Sequence, residues 1–195
     1  MHNLLKQNLF FIKEQVGVFK AANNYDIYDP GKQELIMTCR EPNLGFFTKL
    51  LRFTDYKRMT PFEVIITSAS GEKILTVKRG VSIFLSTVEV FDEKNIAIGK
   101  FKQKFFSIGG KFDVLDINEN VLCTLKGKWT SWNFKFMQGE TELAEVSKKW
   151  AGIGKELFTT ADNYMLSISE TVRKEDSVRL LILAAVMCID MVLKE

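Results

Sequence analysis

Residues 178–193 read VRLLILAAVMCIDMVL, and how this stretch is housed decides the fold. From Leu180 to Ile189 no side chain is polar. Ala184, Ala185, Met187 and the leucines favour helix. Ser177, preceded by Glu175 and Asp176, offers a cap and negative charge at the helix start. A helix apolar on every side is either embedded in lipid or wrapped by protein. A bilayer span needs about 20 apolar residues. This run is shorter, with Arg179 near one end and Asp190 near the other. A carboxylate inside a bilayer segment costs about 2.5–3.5 kcal/mol on insertion scales. The stretch is therefore expected to be a core helix threaded through a protein shell.

The shell is written upstream. Five times an apolar-alternating run meets a polar turn, and a second run follows that ends in basic residues: 25–40, 62–79, 88–104, 112–126 and 134–149. Each turn holds Gly, Pro, Asp or Asn, which tolerate turn dihedrals. Five hairpins give ten strands, and runs at 9–13 and 164–169 bring the number to about twelve. The copies are too unevenly spaced for a propeller or solenoid. A closed antiparallel barrel hides every edge, but twelve strands make it too wide for wall side chains to fill. The helix at 178–193 would fill it. The expected fold is mainly β, a closed antiparallel barrel of about twelve strands around a central hydrophobic C-terminal helix, with residues 1–195 as a single domain.

Composition removes whole classes of chemistry. The 195 residues are 46% hydrophobic, with 16 Phe and 3 Pro, which suits broad strands around a bulky core. His2 is the one histidine, so imidazole catalysis and His-ligated zinc are not expected, and neither is an enzyme. Cys39, Cys123 and Cys188 have no Cys-x-x-Cys partner and are odd in number, which predicts three reduced thiols, mostly buried, in the cytosol or at the cytosolic side of a membrane. Residues 1–15, MHNLLKQNLFFIKEQ, have too short an apolar core for a secretory signal. The chain is expected in the cytoplasm or at the cytosolic face of a membrane, not secreted. A net charge of +3 is too slight for a diffuse nucleic-acid binder.

Residues 146–164, VSKKWAGIGKELFTTADNY, resemble the phospholipid scramblase signature: a Lys-Trp-x-Gly group, then Glu-x-Phe-Thr-x-Ala-Asp-x-aromatic. Lys149, Trp150, Gly152, Glu156, Phe158, Thr159, Ala161, Asp162, Asn163 and Tyr164 carry the match, and Cys188-Ile189-Asp190 extends it. The likeness is to the scramblase, tubby C-terminal-like and LURP-one-related group. It implies a twelve-stranded barrel around a hydrophobic helix, and a protein that moves or binds phospholipid. A soluble protein-binding or scaffold module of the same fold is the alternative.

The resemblance also implies a calcium segment, which maps onto 160–171, TADNYMLSISET. Of the positions where a calcium loop wants oxygen ligands, only Asp162 offers a carboxylate. Position six is Met165 rather than Gly, and Glu170 misses position twelve by one. Calcium is thus a doubtful ligand with Asp162 as its one candidate, and no other cofactor is expected. Lys100, Lys102 and Lys104 alternate with Phe101 and Phe105, so on a strand they share one face. They are the candidate contacts for an anionic phospholipid or phosphoinositide surface, and a solvated strand face is the plain alternative. Lys78, Arg79, Lys126, Lys128, Lys148 and Lys149 also end strands, so lysines are expected to gather at one barrel rim. Residues 44–53, LGFFTKLLRF, place Phe47, Leu50 and Leu51 on one helical face beside Lys49 and Arg52. That piece is expected to plug a barrel end, with an interfacial amphipathic turn as the other reading. Trp129, Trp132 and Trp150 are expected as core or barrel-end anchors.

Overall fold

The computed structural model describes residues 3–15, 22–54, 59–81, 87–103, 111–128, 133–148, 163–174 and 177–193. Twelve strands follow the chain. They are β1 (Leu9–Glu14), β2 (Tyr25–Asp29), β3 (Glu34–Arg40), β4 (Phe62–Ser68), β5 (Lys73–Arg79) and β6 (Thr87–Asp92), then β7 (Ala97–Gln103), β8 (Phe112–Leu115), β9 (Val121–Lys128), β10 (Asn133–Gln138), β11 (Thr141–Ser147) and β12 (Asn163–Ile168). A short helix α1 (Phe46–Leu51) interrupts them, and α2 (Ser177–Leu193) ends the described chain. Each strand pairs antiparallel with its sequence neighbours, and β1 closes the barrel on β12, with Leu9 opposite Ser167 and Lys13 opposite Asn163.

Alternation fixes which side chains face inward. In β4, Phe62, Val64 and Ile66 are buried while Glu63, Ile65 and Thr67 lie on the outer face. All five hairpins carry one register shift close to the turn, between Ile27/Tyr28, Ile66/Thr67, Val90/Phe91, Val114/Leu115 and Phe136/Met137. Such bulges add the twist that lets a sheet close on itself. Positive φ at Gly71 and Gly139 relieves the turns of two of these hairpins.

Inside, α2 is buried on every side: Leu181, Ile182, Leu183, Ala184 and Met187 are all among the least exposed residues. It packs most closely on β7, where Gly99 makes room. A Cβ there would sit 2.4 Å from the Leu115 carbonyl oxygen and 2.9 Å from Leu181 Cδ2. Seventeen residues of helix span about 25 Å. No helix of the described residues is long and apolar enough to cross a membrane.

The two ends of the barrel differ. Five hairpin turns lie at one end, where the 3-10 turn Asn3–Lys6 also sits and α2 enters. Arg179, in the first turn of α2, is almost fully buried there. It donates to the carbonyls of Leu5 (2.8 Å), Val172 (3.2 Å) and Gln7, and to Asn8 Oδ1 (3.0 Å). Both chain segments that flank the barrel are thus tied to the helix entrance. Ser177, expected as a cap, is instead the first residue of α2. The long connections, including 41–61 with α1, leave from the opposite end, toward which the C-terminal half of α2 points.

Candidate functional site: the long-loop end of the barrel

Glu41 follows the last residue of β3, and Arg52 caps the C-terminus of α1. The two side chains form a buried fork, with Arg52 Nη1 and Nη2 each 2.6 Å from a Glu41 carboxylate oxygen. Arg52 also donates to the Pro61 carbonyl at 3.1 Å. Glu41 accepts from the backbone N–H and side-chain amide of Asn23, at 3.0 and 2.9 Å. One pair therefore holds three segments: the approach to β2, helix α1, and the entry to β4. A bidentate charged bond is the geometry that makes such a buried pair tolerable.

Arg52 points inward, and this sets the opposite face of α1. Phe46, Leu50 and Phe53 fall at i, i+4 and i+7 on the outer face and are 76%, 57% and 59% exposed. Thr48 and Arg52, also four apart, face the protein. The expected plug is thus corrected: the barrel is already filled by α2, and the buried partner of Arg52 turns the apolar side chains outward. Leu51 and Val81 are exposed beside them and border an apolar hollow with Met59, Thr60 and Pro61.

Behind α1 opens a cleft of about 330 Å³, lined by Asn43, Thr48, Lys78, Arg79 and Gly80 together with Glu41 and Glu63. Arg79 is buried in its floor, donating to the Thr60 carbonyl at 2.6 Å and lying 4.8 Å over the Phe62 ring. Burial, and then the like charge of Arg52, push its pKa down to about 10, and Cys188 and Glu41 offset part of that. It remains a cation at neutral pH. Lys78 reaches Glu63 at 3.3 Å and stands 5.7 Å over Phe91.

Topology concentrates cations at this end. Every strand that runs toward it carries Lys or Arg within two residues of its last position: Lys13, Arg40, Arg79, Lys102, Lys126 and, just past β11, Lys148. Carboxylates are interspersed, as in the Arg40–Asp26 pair. The turns at the other end instead carry Asp29, Glu34, Glu72, Asp92, Glu93, Asp116, Glu119 and Glu140 against Lys32, Lys73 and Lys94. Lys100 and Lys102 do share the outer face of β7, because Phe101 between them is buried. Their surroundings separate them. Lys102 is exposed near the strand end. Lys100 lies further down the wall, opposite Glu89 and ion-paired with Glu119 of a far-end turn. That hydrogen bond and charge hold the Glu119 carboxyl below its usual range. Lys104 lies outside the described residues.

The comparisons with known proteins agree with this architecture. The Scramblase family model matches residues 4–195. The chain belongs to the Scramblase family. A crystal structure of a protein from Arabidopsis thaliana has the same fold at 16% identity, with a TM-score of 0.55 over 94% of this chain and 90% of that one. No curated protein matches the chain.

For this scramblase-family barrel, the signature residues Asn163 and Tyr164 begin β12. Both are buried, and Lys148 Nζ stands 5.4 Å over the Tyr164 ring. Residues 149–162, with Trp150 and Asp162, lie outside the described residues, as do Trp129 and Trp132. The described part of the calcium segment does not fit a calcium loop. Residues 163–168 are a strand of the barrel wall, with Tyr164, Leu166 and Ile168 buried, so 160–171 is not one loop of oxygen ligands. Among the described residues no three His, Cys, Asp or Glu side chains are grouped to hold a metal. The sequence reading missed the Glu41–Arg52 pair and the outward turn of α1. The spacing of Phe46, Leu50 and Phe53 against Thr48 and Arg52 was the available signal.

Proposed function

We propose that this protein is a non-enzymatic phospholipid-binding module that sits peripherally on the anionic, cytosolic face of a membrane, with its long-loop end toward the lipid. Membership of the Scramblase family supports a lipid partner. The observation that carries the reading is the row of strand-end cations. Each Lys or Arg near an anionic surface contributes about 1 kcal/mol, so several acting together hold a peripheral protein at moderate salt. Lys102 belongs to this rim, while Lys100 is spent on Glu119. Surface binding rather than lipid transport is the reading favoured, because a headgroup path through hydrocarbon needs polar lining and α2 is enclosed.

Flotation with vesicles tests it. Phosphatidylserine- or phosphoinositide-containing vesicles should carry the protein at low salt, neutral vesicles should not, and raised salt should release it. Calcium and chelator should give the same result, since residues 163–168, half of 160–171, are strand. Failure to float with any anionic vesicle at low salt would sink the proposal. A tight protein partner unaffected by reversing Lys78, Lys102 and Lys126 would move the function to the scaffold class.

A further inference from the structure

Resting on that reading, we infer that the outer face of α1 is a membrane-inserting knuckle: Phe46, Leu50 and Phe53, with Leu51 and Val81 beside them, enter the interfacial layer of the bilayer. Three observations converge. First, the described side chains of this segment are inverted relative to a helix that packs on its own protein, with the polar Thr48 and Arg52 turned to the protein and Phe46, Leu50, Leu51 and Phe53 exposed. Second, these side chains protrude. At 57–76% exposure Phe46, Leu50 and Phe53 offer most of their apolar surface to the surroundings, and none of the three lines the hollow bordered by Leu51 and Val81, which suits a deformable lipid interface. Third, the charge around them is complementary to an anionic bilayer. Lys49 is exposed on the same helix, and Val81 lies two residues beyond Arg79 at the end of β5. A short apolar face with aromatic tips and basic flanks is the chemistry of an interfacial segment.

The buried Arg52–Glu41 fork gives this tip a rigid base. Insertion needs side chains held outward before lipid arrives, because ordering them on contact would cost affinity. With α1 inserted, the cleft lined by Asn43, Thr48, Lys78 and Arg79 with Glu41 and Glu63 opens beside the phosphates, where the partly exposed Lys78 can exchange Glu63 for a headgroup.

The three native thiols are buried, so a single introduced cysteine can be labelled selectively with an environment-sensitive NBD dye. Label at Leu50→Cys should shift to the blue and brighten several-fold on phosphatidylserine vesicles, and doxyl groups placed shallowly in the lipid should quench it. Label at Leu35→Cys, exposed near a turn of the opposite end, should stay silent. The Phe46→Ser/Leu50→Ser double variant should keep the wild-type circular dichroism and lose about tenfold in vesicle affinity, with the loss persisting at high salt. Wild-type flotation with a silent Leu50→Cys label and undiminished binding of the double variant would overturn the insertion and leave the surface-binding function standing. Absence of wild-type flotation would overturn both. A Leu50→Cys label already blue-shifted without lipid, and relaxing on dilution, would show that a second copy covers the face and would also overturn the proposal.

Discussion

The two ends of this barrel are built on buried arginines, and the arginines do different work. At the short-turn end, Arg179 binds oxygens of Leu5, Gln7, Asn8 and Val172, so the core helix and both flanking segments become one unit. At the long-loop end, Arg52 binds Glu41 and orients a six-residue helix whose apolar face looks outward. The first arginine closes the molecule. The second presents a surface. The lock on the core helix and the proposed lipid surface thereby lie at opposite ends of the barrel axis, and the charge pattern follows the same division, with carboxylates in the turns of the closed end and cations at the strand tips of the other.

The largest expected effect comes from breaking the closed end. Arg179→Ala leaves several buried acceptors without a donor. Hydrogen bonds to a charged group contribute roughly 1.5–3 kcal/mol each, so the loss should be on the order of 3 kcal/mol or more. In a chain of this size that lowers Tm by roughly 6–12 °C, readable by circular dichroism. A shift under about 2 °C would show that the closed end is not a lock.

A test of how far the other end is open comes from the thiols. Burial pushes Cys39 up to about 12, with Glu41 adding to the rise and Arg40 opposing it, and burial and then Asp113 push Cys123 up to about 12. A thiol whose pKa is raised by folding ionises first in the unfolded chain. Its contribution is fully present below the ordinary thiol range and is lost as pH rises from about 9 toward 12. At pH 10 each of these thiols should cost stability on the order of 1 kcal/mol relative to neutral pH, and replacing Cys39 and Cys123 by Ala or Val should flatten that part of the curve. Native protein at pH 8 should react with a thiol reagent at the rate of unfolding. Rapid reaction of Cys39 alone would mean that the long-loop end breathes down to the core.

Glu41→Ala sharpens the contrast between the two arginines. It leaves the buried Arg52 guanidinium without its counter-charge, and α1, a six-residue element outside the barrel wall, relieves this by detaching locally. We expect a small fall in Tm, a few degrees at most, with strongly increased proteolysis or hydrogen exchange confined to residues 44–54. Vesicle affinity should fall with the loss of a rigid α1. A fall in Tm as large as that of Arg179→Ala would show that the pair supports the whole barrel rather than the tip.

The sequence reading reached the barrel because the barrel is made locally. Period-two alternation, turn residues such as Asp29-Pro30-Gly31 and Ser70-Gly71, and the apolar run at 180–189 each act within a few residues, and the observed strands lie within a residue or two of the expected ones. The rim was legible for the same reason, since antiparallel pairing sends every second strand tip to one end. The orientation of α1 was not legible. It depends on Glu41 and Arg52, eleven positions apart, and on a lumen already occupied by α2. Arg179 was read as the flank of a helix because Leu5, Gln7 and Asn8, three of its partners, lie more than 170 positions away at the N-terminus.

The smallest expected effect separates two lysines that look equivalent in the sequence. Lys100 and Lys102 are two residues apart on one strand face, yet Lys100 is turned toward Glu119 and Lys102 stands exposed near the rim. Partly exposed ion pairs contribute about 0–1 kcal/mol, so Lys100→Ala should change Tm by no more than a few degrees. Its vesicle affinity should also stay within about twofold of wild type, because removing Lys100 releases a carboxylate far from the docking end. Lys102→Ala should weaken binding by several-fold at low salt, and the difference between the two should vanish as salt screens the surface. Equal losses from both substitutions would place the lipid along the wall of β7 rather than at the end of the barrel, and the division of labour between the two ends would have to be redrawn around that face.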